Sequence, residues 1–215
     1  MKKKYIETKI TTLSQKEFIK FRVFDNLKID YLNLIYGFIL NPPISYKMNE
    51  SSIVIHTFFV NEFEIANTFK TICKKLVKQL NLDDDVIINK FETGHSEIKS
   101  KSLSTYFKEI DFESKMSIYN LTNYFSSDIY RNITDEQKFS YLLGKYIRFY
   151  RENKFVLLDS WENYIVIDVI KSFCIGQDNL RSETFFGVPG IMHLTLNDDS
   201  TLLEYLKIWS EVMKE

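Results

Sequence analysis

Few residues in this chain carry chemistry of their own. His56, His95 and His193 are its only histidines, and Cys73 and Cys174 its only cysteines. A zinc centre needs such donors in closely spaced pairs, and no pair here has helix or finger spacing. The cysteines stand far apart and outside any Cys-x-x-Cys pattern, which predicts reduced, buried thiols in an intracellular, cytosol-like compartment. Asp83, Asp84 and Asp85 form an acidic run without the alternating ligands or the distal Glu of a calcium loop, and it reads as a solvated acidic turn. Gly187 and Gly190 are not followed by the Lys-Ser or Lys-Thr of a phosphate-binding loop. No elbow motif places a serine on a strained turn. The residue types therefore predict no catalytic residue, no metal site and no cofactor.

Bulk properties narrow the class. Lys and Arg number 28 against 29 Asp and Glu, a formal charge of −1, so no global basic field exists and any nucleic-acid contact must rest on a local surface. With 215 residues and 45% hydrophobic content the chain can bury a substantial core without disulfides or metal. No apolar run approaches the roughly 18 residues of a membrane span, and the basic start MKKKYIETK has no apolar segment behind it. Lys, Ile, Asn, Phe and Tyr share A/T-rich codons, so the 18 Phe and 13 Tyr speak of coding composition as much as of function.

The elements that would position these residues follow from periodicity and punctuation. Ser14 and Glu17 have capping-box spacing and predict a helix from there, divided near Asp25-Asn26 and stopped by Pro42-Pro43. SSIVIHTFF reads as a strand. Asn61 and Glu64 are the capping pair expected for an amphipathic helix with Phe63, Ala66, Phe69, Ile72 or Cys73, Leu76 and Leu80 on one face. DDDVIINKFE reads as a strand, residues 93–101 as its hairpin partner or a loop, and helical patterns follow at 102–110 and 114–125. Thr134 and Gln137 cap a helix carrying Phe139, Leu142, Leu143, Tyr146, Ile147 and Tyr150, before the strand KFVLLDS. WENYIVIDVIKSFCIG is read as a helix, with a strand as the alternative. A hairpin of RSETFF and IMHLTL and a closing helix with Leu202, Leu203, Leu206, Trp209 and Val212 inward complete an α+β chain.

The halves echo each other. FKTIC at residues 69–73 matches IKSFC at residues 170–174, and LIYGFI around Gly37 pairs with YLLGKYI around Gly144. Each half then reads helix, strand, helix, one or two strands, helix. In YLLGKYIRFYREN, KFVLLDS and the helix ending in CIG, the chain resembles a two-repeat LAGLIDADG homing endonuclease over most of residues 30–210. Gly37 and Gly144 fall where that family packs its two signature helices, and a residue without Cβ permits the close approach.

The resemblance implies a pseudo-two-fold duplication of a helix-strand-helix-strand-strand-helix unit, its sheets forming a saddle with the helices on one face. The N-terminal pseudo-repeat with its extension is placed at residues 1–125 and the C-terminal one at residues 126–215, together one compact domain and a monomer. In the family an acid five positions after the glycine holds a divalent metal; here those positions are Pro42 and Phe149, which cannot ligate it. Asn41, Glu152 and Asp159 lie nearby, none at the matching position in both halves. Binding of DNA or RNA without two-metal cleavage is thus the expected function. Lys90, Lys99, Lys101 and Arg181 are the candidate phosphate contacts, and His193, Thr195 and Asn197 the candidate base-edge contacts, with Met192, Leu194 and Leu196 inward. Each is equally an ordinary solvated strand residue. Two alternatives stand beside this: an interaction or structural subunit of a larger protein assembly, and an active endonuclease with displaced acids.

Overall fold

Helix α1, Tyr31–Phe38, starts where the Asp30 carboxylate accepts the amide of Asn33 at 2.9 Å. It belongs to a computed structural model that describes residues 28–39, 53–110, 134–158, 166–167, 169–170, 173, 180–185, 191–196 and 201–215, with the backbone alone for 157–158, 180–185, 191–193 and 201. The expected helix start at Ser14, the Asp25-Asn26 break, Asn41 to Pro43, the helix at 114–125, Asp159, Cys174 and Asn197 lie outside the described residues. Every residue of α1 from Asn33 to Phe38 is buried, which marks a core helix rather than an amphipathic one.

Strand β1, Val54–Phe58, leads through a 3-10 turn at Val60–Glu62 into α2, Phe63–Gln79. Of the face its periodicity predicts, the helix buries Ala66, Phe69, Ile72, Cys73 and Leu76, while Phe63 and Leu80 are half-buried. Its entry differs from the expected Asn61 and Glu64 pair: Glu62 reaches back to the amide of Phe59 at 3.0 Å, because the intervening turn shifts the reach-back position forward. Strands β2, Ile87–Lys90, and β3, Ser96–Lys99, form an antiparallel hairpin, which resolves the reading of 93–101 in favour of a strand. Helix α3, Lys101–Glu109, follows, with Ser100 as its cap.

Helix α4, Asp135–Phe149, carries the expected capping box, with Thr134 and Gln137 exchanging bonds of 3.0 and 3.2 Å. It stops at Phe149, and Tyr150, expected on the helix, instead opens a two-residue strand β4, Tyr150–Arg151. The connection to β5, Lys154–Leu158, is a two-residue turn with φ of 49° at Glu152 and 63° at Asn153. Positive φ at both central positions matches the twist of a tight hairpin, which is why the chain reverses here. The described residues among 166–173 are helical, with Val166, Val169, Ile170 and Phe173 buried, in agreement with the helix reading. Strands β6, Leu180–Phe185, and β7, Ile191–Leu196, pair antiparallel as expected, and α5, Thr201–Lys214, closes the chain.

One sheet has the order β1-β3-β2 and the other β4-β5-β7-β6, so β5-β7-β6 repeats the order of the first sheet. Among the described residues the elements of the two sets also run in a similar order, a helix, strand, helix, two strands and helix, with β4 an extra strand of the second set. Helices α1 and α4 pack on each other at the centre. Helix α2 packs on α1 and against β2 and β3, α4 also meets β5, and α5 lies on α2 and α4. One continuous apolar core joins both sets, from Leu34 and Phe69 to Phe155, Leu194 and Leu206.

Candidate nucleic-acid interface

The geometry of the site is set where α1 and α4 touch. A Cβ on Gly37 would lie 1.9 Å from the carbonyl oxygen of Tyr141, and one on Gly144 would lie 2.2 Å from that of Leu34. Backbone therefore meets backbone, and only glycine fits at either position. Near the start of the pair the amide of Asp30 donates to Ser140 Oγ at 2.9 Å, and near its end an Arg148 nitrogen donates to the carbonyl of Phe38 at 3.0 Å. Contacts that advance together along both chains mean parallel helices. Both C-terminal ends, with their partial negative charge, therefore lie at one end of the pair.

Arg148 occupies that end. Its guanidinium pairs with both oxygens of Glu62 at 3.1 Å, donates to the Phe38 carbonyl, and donates to His56 Nε2 at 2.7 Å. The rings of Phe58 and Phe149 lie 4.9 and 5.3 Å from its central carbon. A guanidinium only donates, so Nε2 of His56 accepts and the imidazole is neutral with its proton on Nδ1. Burial, then the neighbouring Arg148 charge, pushes the His56 pKa down to about 3. For Arg148 itself burial works against the charge, opposed by its hydrogen bond and ion pair with Glu62. The Cys73 thiol is buried and pushed up by that burial, as expected for an unreactive core cysteine.

The sheet faces are fixed by register. In β3, Ser96 and Ile98 are buried, so Glu97 and Lys99 share the other face, where they form an ion pair at 3.0 Å. Thr57 and Asn89 flank Glu97 on that face, and Val54 and the exposed Ile87 flank Lys99. Lys90 pairs with Ser96 and thus belongs to the opposite, helix-side face, where its ammonium lies 4.5 Å from the Phe63 ring of α2. Lys101 is exposed at the start of α3, and its amide donates to Asp85. In the second sheet Leu194 and Leu196 are buried and Thr195 is exposed, the expected alternation. Arg181 stands directly across from Thr195, and His193 from Val156 and Glu183. The structure thus brings Arg181 and Thr195 together and separates Lys90 from Lys99.

No family model matches the sequence, and no curated protein matches it. Solved structures do. A mesophilic variant of the homing endonuclease I-DmoI superposes with a TM-score of 0.51 at 16% identity, over 84% of this chain and 95% of the other. The chain has the LAGLIDADG fold. Two further structures of I-DmoI, one a variant with its target DNA and magnesium and one with DNA and calcium, align at TM-scores of 0.49 and 0.46, each at 16% identity. They cover 85% and 82% of this chain, and 94% and 85% of theirs.

Within the LAGLIDADG fold the signature positions can be tested for the divalent metal that the family resemblance implies. Five residues after Gly144 stands Phe149, and Pro42, five after Gly37, offers no side-chain donor. The adjacent guanidinium of Arg148 adds a fixed positive charge. These residues do not fit a divalent ion. Glu152 lies beyond them, exposed at the β4–β5 turn. Arg148, Glu62 and His56 were not foreseen as a group, since 86 and 92 residues separate Arg148 from its two partners. The one local signal was a basic residue in the last turn of α4, beside the position where the family carries acid.

Proposed function

We propose that this chain binds a nucleic-acid duplex through the outer faces of its two sheets and does not cleave it by the two-metal route. The observation that carries the reading is the backbone contact of Gly37 and Gly144 between two sets of elements, the order β1-β3-β2 of the first recurring as β5-β7-β6 in the second. It supports a duplicated unit arranged about the helix pair, with the sheet faces remote from the helices left for a ligand. Lys99, Lys101 and Arg181 are assigned to phosphates, and His193, Thr195 and Asn197 to base edges. Lys90 is left out, because its register faces α2. The homing-endonuclease identity of the superposed structure favours DNA as the first duplex to test. Phe149 beside a buried guanidinium supports loss of cleavage.

Fluorescence anisotropy with duplex DNA and duplex RNA at falling salt, paired with a nicking assay in magnesium or manganese, tests both parts. Binding that strengthens as salt falls, without nicking, is the expected outcome. No binding at the lowest salt removes the first part, and metal-dependent nicking removes the second.

A second reading has its own observation. Phe59, Val60 and Phe91 are 62%, 50% and 43% exposed, and contacts of Phe59 with His95 and of Val60 with Gly94 bring β1's exit to the β2–β3 turn. Such an apolar tip suits a protein partner. Light scattering on the purified chain, with Phe59→Ser as control, distinguishes self-association from a monomeric binder.

A further inference from the structure

We propose that Arg148 is a resident cation, its guanidinium standing in for a metal ion and locking the two sets of elements together at the C-terminal end of the helix pair. Three kinds of acceptor converge on it: the Phe38 carbonyl that ends α1, the His56 imidazole from β1 and the Glu62 carboxylate from the turn before α2. All three come from the first set, and Arg148 comes from α4 in the second. Four of its five N–H groups are thereby used: Nε and one on Nη2 for Glu62, and both on Nη1 for Phe38 and His56. A carbonyl, a neutral imidazole and a carboxylate are also what a divalent transition metal binds. The guanidinium already meets that donor set and the negative ends of two helices, so a cation has nothing left to neutralise.

The lock does not depend on nucleic-acid binding. Its side chain is 1% exposed, whereas that of Glu62 is 19% exposed, so one edge of the site opens to solvent. A small ion could therefore enter once the guanidinium is gone.

The test is thermal unfolding of the full chain and of Arg148→Ala, each with EDTA, magnesium, manganese or zinc. Wild type is expected to show the same Tm in all four conditions. Arg148→Ala should lose on the order of 10 °C, as expected for one partner stripped from a buried pair in a chain of this size. Manganese or zinc, which accept imidazole, should restore part of that loss. Equal metal shifts in both proteins, or none in either, overturn the proposal. Should Arg148→Ala not fold, the Glu62→Gln, Arg148→Met and double variants decide. The double variant should unfold above at least one of the single variants, and strictly additive losses sink the lock.

Discussion

At the scale of single residues, His56 shows how a neighbour sets a charge state and how that state enters stability. The folded protein keeps the ring neutral down to about pH 3, through burial first and the guanidinium of Arg148 second. In the unfolded chain the same ring titrates near its ordinary value of about 6.5. Between those limits the unfolded state takes up a proton that the folded state refuses. The stabilisation is therefore fully present above about pH 6.5 and shrinks as the pH falls, by at most about 1.4 kcal/mol per unit. Urea unfolding of wild type and His56→Gln at several pH values between 4.5 and 7 measures it. Gln keeps an acceptor for Arg148 and cannot titrate, so the gap between the two curves should narrow or reverse toward acid. Parallel curves would mean that His56 is protonated in the fold.

At the scale of elements, the N-terminus of α3 carries a device that local sequence hid. Ser100 caps the helix through the amide of Leu103 at 3.0 Å, and Asp85, from the loop before β2, gathers the hydroxyls of Ser100 and Ser102 and the amides of Lys101 and Ser102. Burial raises the Asp85 pKa, but those four hydrogen bonds outweigh it and hold the carboxyl at about 2. The acidic run at residues 83–85 is thus a helix clamp, at least at its last member. A carboxyl held below its ordinary value stabilises above about pH 3.9, and that contribution is lost as pH falls through about 2. Asp85→Asn should cost about 1 kcal/mol at neutral pH, modest because the group is largely solvated. Denaturant midpoints check this, and the two proteins should converge near pH 2. Sequence could not show the clamp, since Asp85 and its partners are 15 to 17 residues apart. Thr134 and Gln137 were legible because their reciprocal bonds span one turn. Strand β4 was not, because two residues carry no period.

At the scale of the whole molecule, the sequence disclosed more of the architecture than of the surface, and the reason is register. Gly37 and Gly144 could be matched because a missing side chain at a helix crossing is visible in one dimension. The alternation of Leu194, Thr195 and Leu196 likewise announced its own inside and outside. Whether Lys90 and Lys99 share a face depends instead on the length of the turn between β2 and β3. Phe91 donates to the His95 carbonyl across it, Gly94 turns at φ of +86°, and Lys90 falls opposite Ser96. One residue more or less would exchange the faces. This gives a prediction at the same scale. If the outer faces hold a DNA duplex, binding should weaken with salt along a log–log slope of roughly −0.9 for each phosphate neutralised. Lys101→Ala and Arg181→Ala should each make that slope shallower by about that amount. Lys99→Ala should do less, because Glu97 already holds its ammonium at 3.0 Å. Lys90→Ala should leave the slope unchanged, since its charge sits over Phe63 on the helix side. A loss at Lys90 equal to that at Arg181 would place the duplex on another surface.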